Sequence, residues 1–387
     1  MLAQIREIAI MNLLNLPSRI GSSSVIVVGI AGVVAVLVGL LSMATGFQSA
    51  LEGAGKEDRA IIMRDGSSSE MNGAMSPADR AAIKAMEEVA FGSGESYVVV
   101  GIEKIGTDIA SNVVVRGVEQ EAFVIRDELK IVAGRNFESG KAEVIVGVKA
   151  VDQFKNLQLG DQVQVRSQSW TVVGHFETDG TALEGEIWAD VNNVMSAFRR
   201  NGFASTMRVK LTSGEAGESL HQRLQADPRF DLMVKPEKEF YAAQSEGRAS
   251  LINGFGVAVA VIMAIGAVFA ALNTMYSAVS TRTVEIATLR ALGFGDIPVV
   301  VSVMIESLFL ATLGGVIGGG LVWIAFDGYT ASTLNNASFS QVAFDFAVTP
   351  ELLQMGLTWA LALGFVGGLF PAIQAVRMPI TTALRGE

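Results

Sequence analysis

The chain contains four long apolar segments, and the stretches between them mix apolar and polar residues. Each segment spans about 20 residues or more, which is enough for a helix to cross a hydrocarbon core about 30 Å thick. The segments are residues 25–47, 251–276, 299–326 and 352–373. Glu306 is the only charged side chain within them. We therefore predict a membrane protein with four transmembrane helices.

The long segment between the first two spans, residues 48–250, predicts an α+β domain. Residues 59–64, 77–89 and 97–102 read as strand, helix and strand, and Ser76 is a suitable N-cap for that helix. The same order of strand, helix and strand recurs further along the chain, at residues 206–211, 214–226 and 230–234. We predict one split β-α-β subdomain of the ferredoxin-like kind, formed by residues 59–111 and 205–236.

The residues between these two halves, 112–204, predict a mostly β subdomain inserted into the first. Its short apolar strands are VVVRGV, EVIVG, DQVQVR and SWTVVGHF. A helix over residues 191–200 follows, with Asp190 as its candidate N-cap. The expected fold is thus four transmembrane α-helices plus a large extracytoplasmic α+β domain.

Residues 237–250 are polar, favour a helix and lead into the second span without a proline. We predict a continuous helix that projects from the membrane as a stalk, with an extension of the first span beyond Phe47 as its neighbour. At the start of the chain, residues 1–24 predict an amphipathic helix on the inner surface. A simple lead-in to the first span is the alternative for that segment.

Orientation follows from arginines near the short loops, because such residues are enriched on the cytoplasmic side. Residues 1–24, the connection 277–298 and the tail 374–387 contain arginine, whereas residues 327–351 contain neither lysine nor arginine. We therefore expect both termini and the 277–298 loop in the cytoplasm. Residues 48–250 and the 327–351 loop are expected outside, in the periplasm of a bacterium whose inner membrane holds the spans.

Composition excludes several classes of function. The net charge is −10, most of it from residues 48–250, so nucleic acid is not an expected partner. The chain has no cysteine, which excludes disulfides and thiolate metal sites. His175 and His221 lack any metal-ligand spacing, and residues 134–142 resemble a phosphate loop but have the wrong glycine spacing. We predict no catalytic, metal or cofactor site on this chain.

Two features within the spans allow more than one interpretation. Glu306 is either a proton or substrate site, or a carboxylate close enough to the cytoplasmic face to reach water, Arg282 or Arg290. Glycines four residues apart favour close helix packing, either within one bundle or between subunits. The glycines concerned are Gly314, Gly315, Gly318 and Gly319.

Several phrases of the sequence resemble a known family. They include RTVEIATLRALGFG at residues 282–295, the closing GLFPAIQAVRMPITTALRGE, and VRGVEQEAF, IVAGRNF, LQLGDQVQV and TVVGHF in the outer segment. Together they resemble ABC transporter permeases of the MacB/FtsX type, also called type VII or mechanotransmission transporters. The resemblance covers nearly the whole chain, and it implies that the split and inserted subdomains are porter-like and sabre-like.

The resemblance also implies partners and a site. In this family the loop between the second and third spans forms a coupling helix that docks on an ABC ATPase, which binds ATP and Mg²⁺. Carried onto this sequence, the ATPase-coupling residues are Arg282, Glu285, Leu289, Arg290, Gly293 and Phe294. A second permease copy, most simply in a homodimer, a periplasmic adaptor and an outer-membrane channel are further implied partners.

MacB itself carries an ATPase ahead of the first span, where this sequence has about 24 residues, so we expect the ATPase on a separate chain. The leading hypothesis is a permease that drives efflux or extraction of a substrate. One alternative is an FtsX-like regulator that activates a periplasmic cell-wall enzyme. Another is an ion-coupled carrier that uses Glu306.

Overall fold

The computed structural model describes residues 2–14, 20–67, 69–107, 109–200, 202–335 and 339–379. The chain divides into two compact units. The helical unit comprises Met1–Ala44, Ser250–Tyr329 and Ala347–Glu387. The β-rich unit comprises Thr45–Ala249 and Thr330–Phe346.

Eleven helices and twelve strands are formed by the described residues. The helices are α1 (Leu2–Leu14), α2 (Ile20–Glu52), α3 (Pro77–Lys84), α4 (Ala122–Ile125), α5 (Val148–Gln153), α6 (Val191–Ala197), α7 (Ala216–Ala226), α8 (Glu237–Thr281), α9 (Thr283–Ala291), α10 (Asp296–Phe326) and α11 (Pro350–Arg377). The strands are β1 (Arg59–Arg64), β2 (Val89–Glu103), β3 (Ala110–Val118), β4 (Lys130–Gly134), β5 (Glu143–Gly147), β6 (Gln162–Val165), β7 (Gln168–Glu177), β8 (Ile187–Asp190), β9 (Thr206–Leu211), β10 (Leu232–Pro236), β11 (Thr330–Asn335) and β12 (Ser340–Asp345).

Four helices are long and apolar enough to cross a membrane, as predicted: α2, α8, α10 and α11. Two of them extend well beyond the apolar segments. Helix α2 continues to Glu52, and α8 is a single helix of 45 residues. The predicted stalk at residues 237–250 and the second span are therefore one uninterrupted helix.

Glycines allow α10 to approach two neighbours at once. A Cβ atom at Gly314 would lie 2.9 Å from the carbonyl oxygen of Val27 in α2. One at Gly315 would lie 2.8 Å from the Cβ of Ala360 in α11. Gly318, which faces α2 one turn further on, follows the same pattern, because its Cβ would lie 2.4 Å from the oxygen of Ala31. These close approaches are all between helices of one chain.

Helix α1 packs against α10 instead of standing alone. Ile8 and Asn12 are buried, and the amide of Asn12 donates to the hydroxyl of Ser302 at 3.4 Å. The predicted single segment over residues 1–24 is divided, because α2 begins at Ile20. Pro17 and the tail beyond residue 379 lie outside the described residues.

Strands β1 to β10 of the β-rich unit form one sheet, and β11 and β12 form a separate two-stranded sheet. The strand order of the larger sheet is β10-β1-β9-β2-β3-β8-β5-β7-β4, and β6 pairs with β7. The first four strands come from the two predicted β-α-β pieces and pair antiparallel. Helices α3 and α7 pack on this part of the sheet, and the core contains Ile83, Met207, Val209 and Leu220.

Local helix signals were correctly placed in this unit. Ser76 caps α3 in a capping box with Asp79, and Asp190 accepts hydrogen bonds from the backbone N–H groups of Asn192 and Asn193. The helices are shorter than predicted, since α3 ends at Lys84 and α6 at Ala197. Each helix ends in a turn, at residues 85–88 and 198–199.

Strand β2 is longer than predicted and joins the two halves of the sheet. Residues 89–95 pair with β9, and residues 96–103 pair with β3. The change of partner therefore occurs at residues 95–96. The predicted boundary at residues 111 and 112 falls inside β3.

The predicted loop at residues 327–351 contains a β-hairpin, β11 and β12, which belongs to the β-rich unit. The hydroxyl groups of Tyr97 and Ser340 are 3.2 Å apart, and Lys149 forms an ion pair with Asp345 at 3.0 Å. Phe344 packs edge to face on Phe47. The hairpin was not predicted from the sequence, because it is stabilised by residues more than 190 positions away.

Candidate functional site

The loop between the second and third spans folds into the short helix α9. Arg282, with φ −107° and ψ 11°, separates α9 from α8. At the other end Gly293 has φ +95°, a conformation that glycine adopts without steric cost. The N–H groups of Gly293 and Phe294 donate to the carbonyls of Arg290 and Leu289, each at 3.1 Å. Helix α9 is thus closed by the type of turn common at helix C-termini.

One face of α9, with the residue that caps it, is exposed and combines apolar side chains with one acidic group. Val284 is 52% exposed and Leu292 is 73% exposed. The residues of this surface, called the α9 face below, are Val284, Glu285, Thr288, Ala291 and Leu292. Their spacing of three, four and seven residues places them on one side of a helix. Exposed apolar residues grouped in this way are typical of a contact surface.

The opposite face of α9 packs into the helical unit. Ile286 and Ala287 are buried, and Leu289 and Phe294 pack against the same hydrophobic core. Leu289 and Phe294 therefore hold α9 in place more than they offer a surface. Gly293 is exposed beside the α9 face.

Arg282 and Glu306 form a buried ion pair. Nη1 of Arg282 donates to Oε2 of Glu306 at 2.9 Å, and the two side chains are 6% and 5% exposed. Nε and Nη2 of Arg282 have no hydrogen-bond partner within the described part of the chain. Arg282 lines a cavity of about 20 Å³ together with Asn12 and Ser302, which is room for about one water molecule. Of the two arginines considered for Glu306, Arg282 is its partner.

Arg290 connects three elements. Its Nε lies 3.0 Å from Asp296, the first residue of α10, and its Nη1 donates to the carbonyl of Met378 after α11 at 2.8 Å. Of the six predicted loop residues, Glu285 and Gly293 are exposed, Leu289, Arg290 and Phe294 are half-buried, and Arg282 is buried. Val284 and Leu292 were missed, because an apolar residue in an apolar chain carries no local signal that its side chain is exposed.

The groups considered for chemistry have ordinary structural roles. His175 Nε2 is 3.0 Å from the carbonyl oxygen of Leu157. Residues 134–142 form a turn in which Lys141 pairs with Glu138 and Arg135 pairs with Glu143. Across the described ranges, no three His, Cys, Asp or Glu side chains are grouped as metal ligands.

Two family models match this chain. The MacB-like periplasmic core domain matches residues 23–227, which is more than half of the chain. The FtsX-like permease C-terminal domain matches residues 257–380 and therefore includes α9, α10 and α11.

Similar proteins include other permeases. The uncharacterized ABC transporter permease YknZ of Bacillus subtilis is 22% identical over 284 residues, covering 69% of this chain and 68% of YknZ. The macrolide export ATP-binding/permease protein MacB of Hyphomonas neptunium is 26% identical over 246 residues, covering 59% of this chain and 35% of MacB. MacB of Nitrobacter winogradskyi is 26% identical over 383 residues, covering 93% of this chain and 57% of MacB.

Solved structures add weak likenesses that carry no argument here. The periplasmic region of MacB from Actinobacillus actinomycetemcomitans covers 47% of this chain and 90% of that one, with a TM-score of 0.38 and 12% identity. The extracellular domain of YknZ gives a TM-score of 0.36 at 16% identity, covering 46% of this chain and 99% of that one. The family models and the four apolar helices describe a multi-pass membrane protein with a MacB-like periplasmic domain. The chain belongs to the MacB/FtsX family of ABC transporter permeases.

Proposed function

We propose that this chain transmits mechanical work from an ABC ATPase to the β-rich unit. ATP and Mg²⁺ bind to the ATPase on a partner chain, at the cytoplasmic face of an inner membrane, and both termini of the permease lie on that side. The resulting rearrangement of periplasmic domains drives efflux or extraction of a substrate. This chain contributes no catalytic group.

The observation that carries this proposal is the α9 face. It lies on a short helix between two spans, within the segment that matches the FtsX-like model. Val284 and Leu292 supply exposed apolar surface, and Glu285 adds a charge. Apolar anchors beside charged groups favour a specific protein contact. We therefore assign docking to the α9 face and assign Arg282, Leu289 and Phe294 to its internal support.

Two helices support the transmission of force. Helix α2 and helix α8 each run without interruption from residues of the helical unit to residues of the β-rich unit. An uninterrupted α-helix rises 1.5 Å per residue and is much stiffer along its axis than a loop. A displacement at the inner end of α8 is therefore passed along it.

A second copy of the chain is part of the proposal. Phe255, Ile262 and Phe269 of α8 are 67%, 70% and 63% exposed, and they recur every seven residues. Apolar residues at this spacing form one seam along a helix, suited to a second helix or to lipid. A periplasmic adaptor and an outer-membrane channel would complete an export route. The macrolide export names of the MacB relatives support export as the outcome.

The test is co-purification of an ABC ATPase with the intact protein. Val284→Glu and Leu292→Glu on the α9 face should each reduce the recovered ATPase by at least about tenfold, as expected for anchors of an interface. Ile105→Glu, at a 54% exposed position of the β-rich unit, is the matched control and should leave recovery unchanged. Equal recovery with all three variants would reject docking at α9.

The same preparation distinguishes the alternatives. Capture of a cell-wall hydrolase by the β-rich unit, with an ATPase but without transport, would identify an FtsX-like regulator instead. Transport that persists without any ATPase and is abolished by Glu306→Gln would identify an ion-coupled carrier. The ion pair of Glu306 with Arg282 argues against the carrier, because it gives the buried carboxyl group a structural partner within the chain.

A further inference from the structure

Six charged residues lie together inside the β-rich unit. We call them the ionic cluster: Arg116, Arg126, Arg208, Glu70, Glu95 and Glu186. None is more than 7% exposed, and Glu95 and Arg126 are fully enclosed. The three positive and three negative charges balance.

Glu95, on β2, is the centre of the ionic cluster. Arg126 donates to its Oε1 at 2.7 Å, while Arg116 and Arg208 approach its Oε2 at 2.8 and 3.2 Å. Burial alone would raise the pKa of Glu95, but the three arginines outweigh burial and hold that pKa well below its usual 4.5. The carboxylate is therefore charged throughout the physiological range.

The ionic cluster connects both halves of the sheet. Arg208 lies on β9, in the part formed by the split β-α-β pieces, and Arg116 lies on β3, in the inserted part. Arg116 also holds Glu186, just before β8, through two hydrogen bonds of 2.7 Å. Glu70 bridges Arg116 and Arg208 at 2.7 and 2.9 Å. Movement of one half of the sheet against the other would break several of these bonds.

Helix α8 is attached to this cluster at its first residue. Glu237 is completely buried and accepts a hydrogen bond from Nη1 of Arg208 at 2.5 Å. One turn further along α8, the ring of Tyr241 lies 5.4 Å below the same guanidinium. Carboxylates are also favourable at a helix N-terminus, where the backbone N–H groups are free.

The end of α2 meets the start of α8 at the same place. A Cβ atom at Gly55 would lie 2.7 Å from the Cα of Lys238, so only glycine allows this contact. The hydroxyl of Ser245 donates to Glu52, the last residue of α2, at 3.1 Å. The outer ends of both long helices are thus fixed to each other within the β-rich unit.

A buried ionic network is a weak source of stability, because desolvation offsets most of the attraction between its charges. Its bonds are directional, however, and each fixes an angle as well as a distance. We propose that the ionic cluster, with Glu237, is a rigid joint that fixes the direction of α8 on the sheet. Glu237 and Arg208 are then positioning residues. This inference deepens the proposed function, since it identifies where force on α8 enters the domain.

The experiment measures the direction of α8 in the full-length protein. The chain has no cysteine, so Glu246→Cys on α8 and Gln168→Cys on β7, both exposed positions of the β-rich unit, can carry nitroxide labels without background. Labelled protein is diluted with unlabelled chains in nanodiscs, which suppresses distances between copies. Pulsed electron paramagnetic resonance should give one narrow distribution of the distance between the two labels.

Glu237→Gln removes the charge at nearly constant size and should widen that distribution about twofold, as the charge-assisted bond to Arg208 is lost. Glu237→Asp keeps the charge and should restore most of the narrow width. Asp231→Asn, in an exposed ion pair with Arg64, is the control and should leave the width unchanged. A narrow distribution in Glu237→Gln would overturn the proposal.

If Glu237→Gln does not fold, Tyr241→Leu carries the test, because it removes the ring beneath Arg208 and leaves every charge in place. A broader distribution supports the joint, and an unchanged one rejects it. None of these substitutions touches α9. Loss of ATPase recovery in the α9 variants therefore tests the proposed function alone, whereas the label distances test the joint with or without an ATPase.

Discussion

The two units of this protein are stabilised in different ways. In the β-rich unit, charges are buried as a network in which Arg116 makes five hydrogen bonds to three glutamates. In the helical unit, Arg282 donates one hydrogen bond to Glu306, beside a cavity the size of a water molecule. Glycines in α10 and α11 allow close helix contacts in that unit.

The difference indicates which parts are suited to move. A network with many shared bonds resists a change in any one of them, because several bonds must break together. The ion pair of Arg282 and Glu306 lies beside a small cavity instead, and a cavity leaves room for side chains to rearrange. We therefore expect the β-rich unit to resist deformation and the region around α9 to change shape more readily.

The largest expected effect is from removing one arginine of the ionic cluster. Arg116→Met leaves Glu70 and Glu186 buried without their main partner and should lower the free energy of unfolding by about 3 to 5 kcal/mol. Arg64→Met, in an exposed ion pair, should cost less than about 1 kcal/mol. Chemical denaturation of the detergent-solubilised protein measures both. Equal losses would mean that Arg116 does not compensate the charges of the buried glutamates.

The ion pair of the helical unit should be less costly to break. Arg282→Met should lower stability by about 2 to 3 kcal/mol, because it removes the arginine that pairs with the buried carboxyl group of Glu306. The double variant Arg282→Met with Glu306→Leu should recover most of that loss. Thermal unfolding of the single and double variants gives the coupling between the two residues. A double variant as unstable as the sum of both singles would rule out a direct pair.

Glycine packing gives a third, smaller effect. Gly318→Ala places a Cβ 2.4 Å from the carbonyl oxygen of Ala31 and should cost about 1 to 3 kcal/mol, as overpacking does. Gly320 has no atom within 4 Å of such a Cβ, so Gly320→Ala in the same helix should be neutral or slightly stabilising. Thermal stability of the two variants in one detergent is the measurement. Similar thermal unfolding midpoints for the two variants would show that the packing of α10 does not depend on its close approach to α2.

The smallest expected effect is a loss of folding stability in mild acid. A carboxyl group whose pKa is lowered by folding binds fewer protons folded than unfolded, so its stabilisation is complete above about pH 4.5 and is lost as the pH falls below that value. Burial by itself would raise the pKa values of Glu95 and Glu70. The neighbouring arginines outweigh burial, so both pKa values are lowered. At pH 4, Glu95 alone should account for a loss of about 1 kcal/mol.

Tryptophan fluorescence can follow this loss in the β-rich unit alone. Trp170 and Trp188 are buried there, and Trp323→Phe with Trp359→Phe removes the signal of the helical unit. Stability against urea should fall between pH 5 and pH 3. Constant stability over that range would contradict charged glutamates in the ionic cluster.

The sequence predicted the position of the candidate site, but not which of its residues are exposed. Residues 282–295 were predicted to be the coupling loop, which stays a prediction, and helix α9 lies within them. Exposure within the loop was not predictable, since Val284 and Leu292 face outward while Arg282 is buried. Periodicity distinguishes the faces of a helix only when one face is polar, and this helix is mixed on both.

The sequence by itself determined the four spans, the two β-α-β pieces and the caps at Ser76 and Asp190. These depend on the apolar or polar character of neighbouring residues, which is a local property. Only the tertiary structure decided that the 330–346 hairpin joins the β-rich unit, that Arg282 pairs with Glu306, and that α8 begins in a cluster of buried charges. Each joins residues far apart in the chain, and a lone arginine or glutamate in a sequence gives no indication of the partner that makes its burial possible.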